Sequence, residues 1–297
     1  MDNYSDKQKS PISELRGYMA IIIPEIKEVT TWQGVHLFHH GMSSCSQRVR
    51  IMLEEKGIPW TSHHLDIAKD EHTTPWYQGI NPNAVVPTLI HDGKVIIEST
   101  DILEYIDTHF EGNSLLHQPD IDNELVNECL ETANNAQKDL KVLSFEYLFK
   151  PGIRRSEKSL KVLSENLRNK ELLTFHQQFS SKDGLSREKI KKSVCNTHAY
   201  FARIDEILEN QTWLAGEHFS IADITWIPNV HRMRLMNFPL KEYPNLYAWN
   251  QRVCARNSYK NALVAHEPAA LRGFFKVYSY FRARLFNKTA FDRLQCA

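Results

Sequence analysis

The sequence predicts an α/β domain followed by an all-α domain. Strand-like runs and a two-residue turn occur only before residue 112, and helical periodicity dominates after residue 119. With 297 residues the chain is about twice as long as a typical domain, so two domains are expected. Apolar residues make up 42% of the chain and charged residues 24%, a composition that favours a folded core over disorder.

The first domain is predicted from the order of its short elements. They are a strand at 35–38, a helix at 45–56, strands at 60–67, 86–91 and 94–97, and a helix that begins at Glu98-Ser99. In the first helix Val49, Met52 and Leu53 share one face. Asp92-Gly93 is a strong signal for a two-residue hairpin turn. A strand–helix–strand unit followed by a hairpin and a closing helix is the thioredoxin-like arrangement.

The second domain is predicted from helical patterns that run to about residue 265. Ser220 and Asp223 have the spacing of a capping box, which marks the start of one helix. The other helical patterns cover residues 122–142, a charged stretch at 156–192, and 195–208. We assign residues 1–32 to a polar N-terminal arm, 33–112 to the thioredoxin-like domain, 113–119 to a linker, 120–265 to the all-helical domain and 266–297 to a C-terminal extension.

The C-terminal extension differs in charge from the rest of the chain. Residues 266–297 hold six Lys or Arg against two acidic residues, so the segment carries 6 − 2 = +4 and the remainder must carry −4. Phe274, Tyr278, Phe281 and Leu285 follow a helical stripe. We expect a helix that packs on the protein's own body or on a dimer mate. Peripheral membrane contact is the alternative.

Composition argues against several function classes. Lys plus Arg equals Asp plus Glu at 36 each, so the whole chain has no net field for nucleic acid or an anionic membrane. Five cysteines form neither a CxxC pair nor an even set, which argues against a disulfide framework and favours a reducing, cytoplasmic compartment. Apolar runs fall short of the about 18 residues of a membrane span. The 14 histidines show no zinc-binding spacing, so no metal is expected.

The most informative local feature is the handover from the first strand to the first helix. Ser43, Ser44 and Cys45 place two hydroxyls and a thiol there, and Ser44 and Gln47 have capping-box spacing. The unpaired amides and the positive dipole end of a helix stabilise an anion, and a cysteine in a first turn can have a lowered pKa. The alternative is that these residues only form a polar cap.

Two downstream segments complete a candidate peptide-binding site. A cis bond at Pro87 would leave the amide and carbonyl of Val86 free to pair with an extended ligand. Glu98 and Ser99 begin a helix, whose first amides could hold a carboxylate. Together with the hydroxyls at 43 and 44, these segments describe a site for a small acidic peptide that carries a thiol.

These motifs resemble those of the cytosolic glutathione transferase superfamily over about residues 34–265. Ser43-Ser44-Cys45-Ser46, followed by Arg48-Val49-Arg50-Ile51, looks like the motif of the zeta class, the maleylacetoacetate isomerases. The same segment resembles that of bacterial tetrachlorohydroquinone reductive dehalogenases. Residues 81–100 are similar to those of bacterial β-aryl etherases, and Ser220 to Asp223 match the capping box of the helical domain. The resemblance implies the two-domain glutathione transferase architecture.

The resemblance also implies site residues. Glutathione would be the co-substrate, with its thiolate accepting a hydrogen bond from Ser43. Val86 would pair with the cysteinyl backbone, and Glu98 and Ser99 would hold the γ-glutamyl end. Cys45 matches a cysteine that forms a mixed disulfide with glutathione in the dehalogenases, or it is a bystander here. The implied glutathione-binding residues are Ser44, Val86, Pro87, Glu98 and Ser99.

The helical domain is expected to supply a pocket for the acceptor. Aromatic side chains with one guanidinium would suit an aromatic acceptor that carries an anionic group. The candidates are Phe145, Tyr147, Arg154 and Trp226.

The implied activity is nucleophilic displacement by the glutathione thiolate on an aromatic electrophile, in a homodimer. β-Aryl ether cleavage is the leading hypothesis. The alternatives within enzymes are reductive dehalogenation of halogenated hydroquinones and cis–trans isomerisation of a maleylacetoacetate-type diacid. A further alternative is a non-catalytic glutathione-binding protein of the ganglioside-induced branch of the superfamily.

Overall fold

A mixed sheet forms the base of the first domain. The computed structural model describes residues 20–112, 114–116, 120–285, 291 and 296. The strands in these residues are β1 (Ile21–Ile22), β2 (Val35–His39), β3 (Thr61–His64), β4 (Thr88–His91) and β5 (Lys94–Ile96). Their spatial order is β1-β5-β4-β2-β3, with β2 and β3 parallel and the other neighbours antiparallel. The parallel pair needs a crossover, which the first long helix supplies.

Side chains alternate between the two faces of this sheet. The helices of this half are α1 (Ser44–Glu55), α2 (Pro75–Gln78) and α3 (Ser99–His109). On β2, Leu37 belongs to the main core with Val49 of α1, whereas Phe38 packs on the other face with Tyr77 of α2. Successive residues of a strand point to opposite faces, so both faces of β2 are covered. The predicted β-α-β then β-β-α order is confirmed.

Part of the predicted polar arm belongs to the sheet. Ile21 of β1 lies opposite Ile96 of β5, so the arm covers the open edge of that strand. The carbonyl oxygen of Thr30 lies so close to Gly93 that a Cβ added to this glycine would be 2.1 Å from it. The apolar patch in the arm is therefore a short edge strand. Residues 1–19 lie outside the described residues.

The second half of the chain is helical, as predicted. Its helices in the described residues are α4 (Asn123–Ser144), α5 (Lys150–Ile153), α6 (Glu157–Asn166), α7 (Lys170–Ser180), α8 (Arg187–Ile207), α9 (Ile221–Leu235), α10 (Pro244–Ala255) and α11 (Ala269–Leu285). Helix α4 packs against α8 and α9, and α9 also packs against α1. The contact of α9 with α1 joins the two halves of the molecule.

The charged stretch that contains α6 and α7 packs on the first domain. Leu163, Leu167 and Leu172 form a small core with Ala84, which lies in the loop before β4. The charged stretch therefore packs against the loop that leads to the predicted peptide-binding edge. Of the predicted linker, only residues 114–116 are described.

The predicted capping box at the start of α9 is confirmed. The carboxylate of Asp223 accepts a hydrogen bond from the backbone N–H of Ser220 at 2.9 Å. It also accepts from the backbone N–H of Leu214 at 3.0 Å and from Nε1 of Trp249 at 2.7 Å. Because these donors come from three segments, the capping residue also anchors α9 in the core.

The C-terminal extension forms a helix, α11, and the predicted stripe is not the side that packs on the protein's own body. Phe275 is buried and its ring centroid lies 5.8 Å from that of Phe149, whereas Phe274 and Phe281 are about half exposed. The sequence pattern could not separate adjacent aromatic residues on a helix that is aromatic on several sides. The side chain of Leu285 lies outside the described residues.

Two of the five cysteines are bonded to each other. Cys195 on α8 and Cys296 form a disulfide with an S–S distance of 2.11 Å, whereas Cys45, Cys129 and Cys254 are free thiols. The expectation against disulfides is therefore wrong for this pair. The partners lie 101 positions apart, and nothing in the sequence shows that they meet. None of the described helices combines the length and apolarity needed to cross a bilayer.

Candidate active site

The turn from β2 into α1 presents a hydroxyl and a thiol. Ser43 is the N-cap of α1, and its Oγ accepts a hydrogen bond from the backbone N–H of Ser46 at 3.2 Å. The predicted pairing of Ser44 with Gln47 is wrong by one position. The hydroxyl of Ser44 instead donates to Oε1 of Gln137 on α4 at 2.7 Å, so a contact 93 positions away overrides the local pattern.

Cys45 lies in the first turn of α1 as a partly exposed free thiol. Arg48 lies one turn further along the same helix. The guanidinium of Arg48 is fully buried, and this burial lowers its pKa. It donates hydrogen bonds to Thr225 O, Ala133 O, Asn134 Oδ1 and Ser99 Oγ at 2.9, 3.1, 3.0 and 3.4 Å. This arginine thus ties the thiol-bearing helix to α3, α4 and α9.

The segment that we predicted to bind a peptide lies beside Ser43. The Val86–Pro87 bond is cis, as predicted. The Oγ of Ser43 lies 3.4 Å from the carbonyl oxygen of Val86, and within the described residues the backbone N–H of Val86 has no hydrogen-bond partner. Tyr77 holds the preceding residue by donating to Val85 O at 2.6 Å. A backbone amide without a partner next to a hydroxyl fits the cysteinyl part of glutathione.

The start of α3 forms the other end of this edge. Glu98 is the N-cap residue of α3 and has a positive φ of 63°, and its own side chain makes no capping hydrogen bond. Nδ2 of Asn83 donates to Oε1 of Glu98 at 3.2 Å. Burial of the carboxylate, together with the charge of Asp101, raises the pKa of Glu98. The positive end of a helix beside an acidic side chain fits an amino acid end group that carries both charges.

A second wall of the site lies behind the Ser43 turn. Arg50 donates to Gly41 O at 3.1 Å and to His40 O at 3.2 Å, and Nη2 of Arg232 on α9 donates to Met42 O. Both arginines are buried. The loop before Ser43 is therefore held by buried cations on successive carbonyl groups.

Glu267, just before α11, completes this wall. Its carboxylate accepts from Nε2 of Gln47 at 3.0 Å and from Nε2 of His231 at 3.1 Å, and its charge acts on both Arg50 and Arg232. Burial alone would raise the pKa of Glu267, but the hydrogen bond from His231 and the nearby positive charges lower it overall.

Sequence reasoning missed Arg232 and Glu267. Neither residue belongs to a local motif. The one available signal was the spacing of Arg48 and Arg50, which puts two arginines beside the apolar run from Ile51 to Leu53.

The extension also touches the loop directly. A Cβ added to Gly41 would lie 2.2 Å from the carbonyl oxygen of His266. The ring of His266 also lies 5.5 Å from that of His39, at the end of β2. The chain around residues 266 and 267 is thus in van der Waals contact with the turn that carries the site.

The structure does not bring the predicted acceptor residues together. Trp226 is buried in the core, with its Nε1 donating to Cys129 O at 3.1 Å. Phe145 lies in an aromatic cluster with residues of α7. Arg154 is exposed and donates to Ser181 O at 2.5 Å, and Tyr147 packs 4.6 Å from the ring of Phe291.

Phe149 is a better-placed aromatic candidate for the acceptor wall. Its ring lies 5.5 Å from the guanidinium carbon of Arg232, which in turn contacts Met42 beside Ser43. We therefore propose Phe149, rather than Trp226, Phe145 or Arg154, as the residue that faces the acceptor. The helical patterns in the sequence did not show which face each of these residues occupies.

The histidines of the sheet edge are structural in the described part of the chain. Nδ1 of His39 lies 3.2 Å from Nη1 of Arg50, and Nε2 of His39 lies 2.8 Å from the hydroxyl oxygen of Ser62. Burial, with the charge of Arg50, lowers the pKa of His39 to about 3. A search of the described residues finds no group of three or more His, Cys, Asp or Glu able to hold a metal ion.

Two models of known protein domains match the sequence of this chain. The glutathione S-transferase N-terminal domain matches residues 42–109, and the C-terminal domain of the same family matches residues 160–257. The chain belongs to the glutathione S-transferase family. The two matches span more than half of the 297 residues of this transferase. Glutathione is the co-substrate that this family uses.

Several curated relatives of the transferase cover most of its length. Glutathione S-transferase TCHQD of Arabidopsis thaliana is 28% identical, over 77% of this chain and 89% of the relative. The tetrachloro-p-hydroquinone reductive dehalogenase of Sphingobium chlorophenolicum is 27% identical, over 77% and 96%. Protein LigF of Sphingobium sp. strain SYK-6 is 26% identical, over 75% and 91%. These identities support a shared family and leave the substrate open.

Solved structures support the same fold. The crystal structure of the β-etherase LigF has a TM-score of 0.69 at 24% identity, covering 78% of this chain and 100% of that one. A theta-class transferase from Xanthomonas axonopodis pv. citri with glutathione bound has a TM-score of 0.59 at 22% identity, over 78% and 98%. The transferase therefore has the two-domain architecture predicted from its sequence.

Proposed function

We propose that this transferase catalyses glutathione-dependent cleavage of β-aryl ethers. The observation that carries the proposal is the 3.4 Å approach of Ser43 Oγ to Val86 O. It places a hydroxyl next to the backbone edge that would pair with the cysteinyl residue of glutathione. A hydrogen bond from this hydroxyl to the sulfur favours the thiolate, which is the nucleophilic form. The similarity to Protein LigF supports the choice of an aryl ether.

The residues of the chain have separate roles in this proposal. Val86 pairs with the cysteinyl backbone, and the start of α3 at Glu98 and Ser99 holds the γ-glutamyl end. Ser43 donates to the thiolate, and the positive end of α1 adds to its stabilisation. Ser44 links the turn to α4 through Gln137, so it positions the turn and need not touch glutathione.

The proposed step exchanges one bond for another. The thiolate sulfur attacks the carbon that carries the aryl ether oxygen, and a C–S bond forms. The C–O bond breaks and its electron pair leaves on the phenolate oxygen, which takes up a proton from water. No oxidant or reductant is needed. The products are a glutathione thioether and a phenol.

The test measures phenol release from an α-keto β-aryl ether in the presence of glutathione. Ser43→Ala should lower kcat/KM about 100-fold, the size of effect seen when one donor to a developing anion is removed. Ser164→Ala is the matched control, because its hydroxyl lies on the exposed surface of α6 and donates to Lys161 O. Full activity in Ser43→Ala, or no phenol release by the unmodified protein, would contradict the proposal.

A second candidate function is reductive dehalogenation, which the half-exposed thiol of Cys45 favours. After glutathione has displaced a halide from a hydroquinone ring, the Cys45 thiolate would attack the sulfur of the conjugate. The ring takes up a proton, and a disulfide forms between Cys45 and glutathione. A second glutathione then releases oxidised glutathione.

One pair of variants distinguishes the two candidate functions, ether cleavage and dehalogenation. Cys45→Ala should abolish dehalogenation of a chlorohydroquinone, stopping at the glutathione conjugate, but leave ether cleavage close to the unmodified rate. Cys254→Ala is the matched thiol control, because Cys254 is also a partly exposed free thiol. Mass spectrometry after treatment with oxidised glutathione would show whether Cys45 forms the mixed disulfide.

The remaining alternatives are outcomes of the same assays. Turnover of a maleyl diacid without ether cleavage would favour the isomerase. Binding of glutathione without turnover of any of the three substrates would favour a non-catalytic protein of the ganglioside-induced branch. We further propose that the transferase acts as a homodimer in the cytoplasm, which sedimentation velocity and cell fractionation can test.

A further inference from the structure

One side of α11 exposes a group of large apolar side chains. Nine large hydrophobic side chains are exposed among the described residues, and four of them lie on this helix. They are Phe274, Val277, Tyr280 and Phe281, with exposed fractions of 49%, 55%, 51% and 54%. We call this set the α11 outer face. Single exposed apolar residues are ordinary on a protein surface, whereas a contiguous group usually marks an interaction site.

The opposite side of the helix is already packed. Phe275 contacts Phe149, and the hydroxyl of Ser279 accepts from Nδ2 of Asn237 at 3.2 Å. Phe274, Val277 and Phe281 follow the spacing i, i+3, i+7, which keeps them on one side of a helix. The helix is therefore fixed to the body by one side and presents the α11 outer face away from it.

The charge of the helix identifies the kind of partner. Between residues 269 and 285 the sequence has Arg272, Lys276, Arg282 and Arg284 and no Asp or Glu. Lys276 is exposed at the flank of the outer face. Residues 266–297 carry +4, and the rest of the chain carries −4. A partner that combines an apolar interior with negative charges at its surface complements this helix.

We propose that the α11 outer face binds the surface of membranes that contain anionic phospholipid. The helix would lie in the plane of the interface, with its aromatic rings at the boundary between head groups and acyl chains. The exposed side chain of Lys276 at the flank would reach the lipid phosphates. The acidic body would be repelled from the same surface, so α11 would be the point of contact.

A second copy of the chain is a poorer partner for the α11 outer face than a lipid surface is. Pairing two α11 outer faces would bring two helices of like charge together, without an acidic residue on either helix to offset them. A lipid surface supplies both the apolar environment and the missing negative charge.

The test uses the full chain and co-sedimentation with vesicles. Binding to vesicles of phosphatidylcholine with phosphatidylserine should be about tenfold tighter than to phosphatidylcholine alone, and high salt should remove the difference. The double variant Phe274→Ser/Phe281→Ser should lose about tenfold in binding, because two interfacial aromatic rings are removed. Val162→Ser is the matched control, since Val162 is 51% exposed but lies on α6.

Folding is checked separately from binding. The double variant should keep the circular dichroism and glutathione turnover of the unmodified protein, because neither residue touches the Ser43 turn. Equal binding to neutral and anionic vesicles, no binding to either, or an unchanged double variant would overturn the proposal. Self-association that disappears in the double variant, without vesicle binding, would overturn it in favour of a contact between copies.

Discussion

The candidate site has two walls that are built in different ways. The strand-edge wall contains Val86, Pro87 and Glu98, which lie within one short segment and are held by near neighbours such as Asn83. The tail wall contains Arg232 and Glu267, which reach the Ser43 turn from 190 and 220 positions away in the chain. The strand-edge wall thus depends on local structure, whereas the electrostatic environment of the turn depends on the whole tertiary fold.

The difference also concerns charge. The strand-edge wall offers backbone groups and one carboxylate, which suit a ligand that carries both charges. The tail wall places buried guanidinium groups on the carbonyl oxygens of Gly41 and Met42, with Glu267 acting on both arginines. Buried charges persist when they are paired and hydrogen-bonded, so each member of this wall depends on the others.

The strongest way to break the tail wall is Arg232→Met. The change removes a positive charge that stabilises the buried Glu267 carboxylate, and it removes the hydrogen-bond donor to Met42 O. The free energy of unfolding should therefore fall by about 3–5 kcal/mol. Urea denaturation measures it. Arg168→Met is the control, because Arg168 pairs with Glu25 on the exposed surface and should change stability little. Equal effects of the two changes would show that the tail wall is not a special environment.

Acid should also destabilise the tail-wall side. His39, beside Arg50, has its pKa lowered from 6.5 to about 3 by burial and nearby positive charge. The unfolded chain therefore binds a proton that the folded chain refuses between these pH values. Stability from this group is complete above pH 6.5 and falls by about 1.4 kcal/mol per unit as the pH drops towards 3.

His39→Gln tests this pH dependence, because it keeps a polar side chain but removes the titration. Urea denaturation between pH 7 and 4 should give a shallower loss of stability than in the unmodified protein. His218→Gln, at an exposed position, should leave the slope unchanged. An identical slope in all three proteins would assign the acid sensitivity to other groups.

A smaller change probes the contact between the turn and the extension. In Gly41→Ala the new methyl group would meet His266 O at 2.2 Å, so the two segments must move apart. We expect a loss of about 1–3 kcal/mol in the free energy of unfolding. Gly152→Ala is the matched control, since a Cβ there has no neighbour within 4 Å. Thermal unfolding of both variants decides whether the contact is as tight as the distance indicates.

The smallest expected effect lies in the strand-edge wall. Asn83→Ala removes the hydrogen bond to Glu98, which should loosen the carboxylate without unfolding the domain. We expect the KM for glutathione to rise several-fold with kcat unchanged, because one hydrogen bond to a charged group contributes about 1.5–3 kcal/mol at most. A fall in kcat with an unchanged KM would show that this wall also acts on the thiolate.

The strand-edge wall could be predicted from the sequence because its signals are local. The cis bond before Pro87 and the helix start at Ser99 are written in neighbouring residues. The cap at Ser43 was predicted one position late, because Ser44 finds a partner in Gln137 that the local pattern does not contain.

The tail wall could not be predicted for the same physical reason. Its members become neighbours only when α9 crosses α1 and residues 266 and 267 return to the turn. The same reason applies to the predicted acceptor residues. The sequence shows that Trp226 is aromatic and lies on α9, but not that its side chain is buried in the core. Likewise, nothing in the sequence shows that Cys195 and Cys296 meet.

The position of Glu267 has a consequence for how this protein can be divided. The family match ends at residue 257, and Glu267 lies ten positions further along the chain. A chain cut at residue 265 would keep every motif of the family but would lose the carboxylate shared by Gln47, His231 and the buried arginines. We therefore expect that the smallest stable piece includes the beginning of the extension.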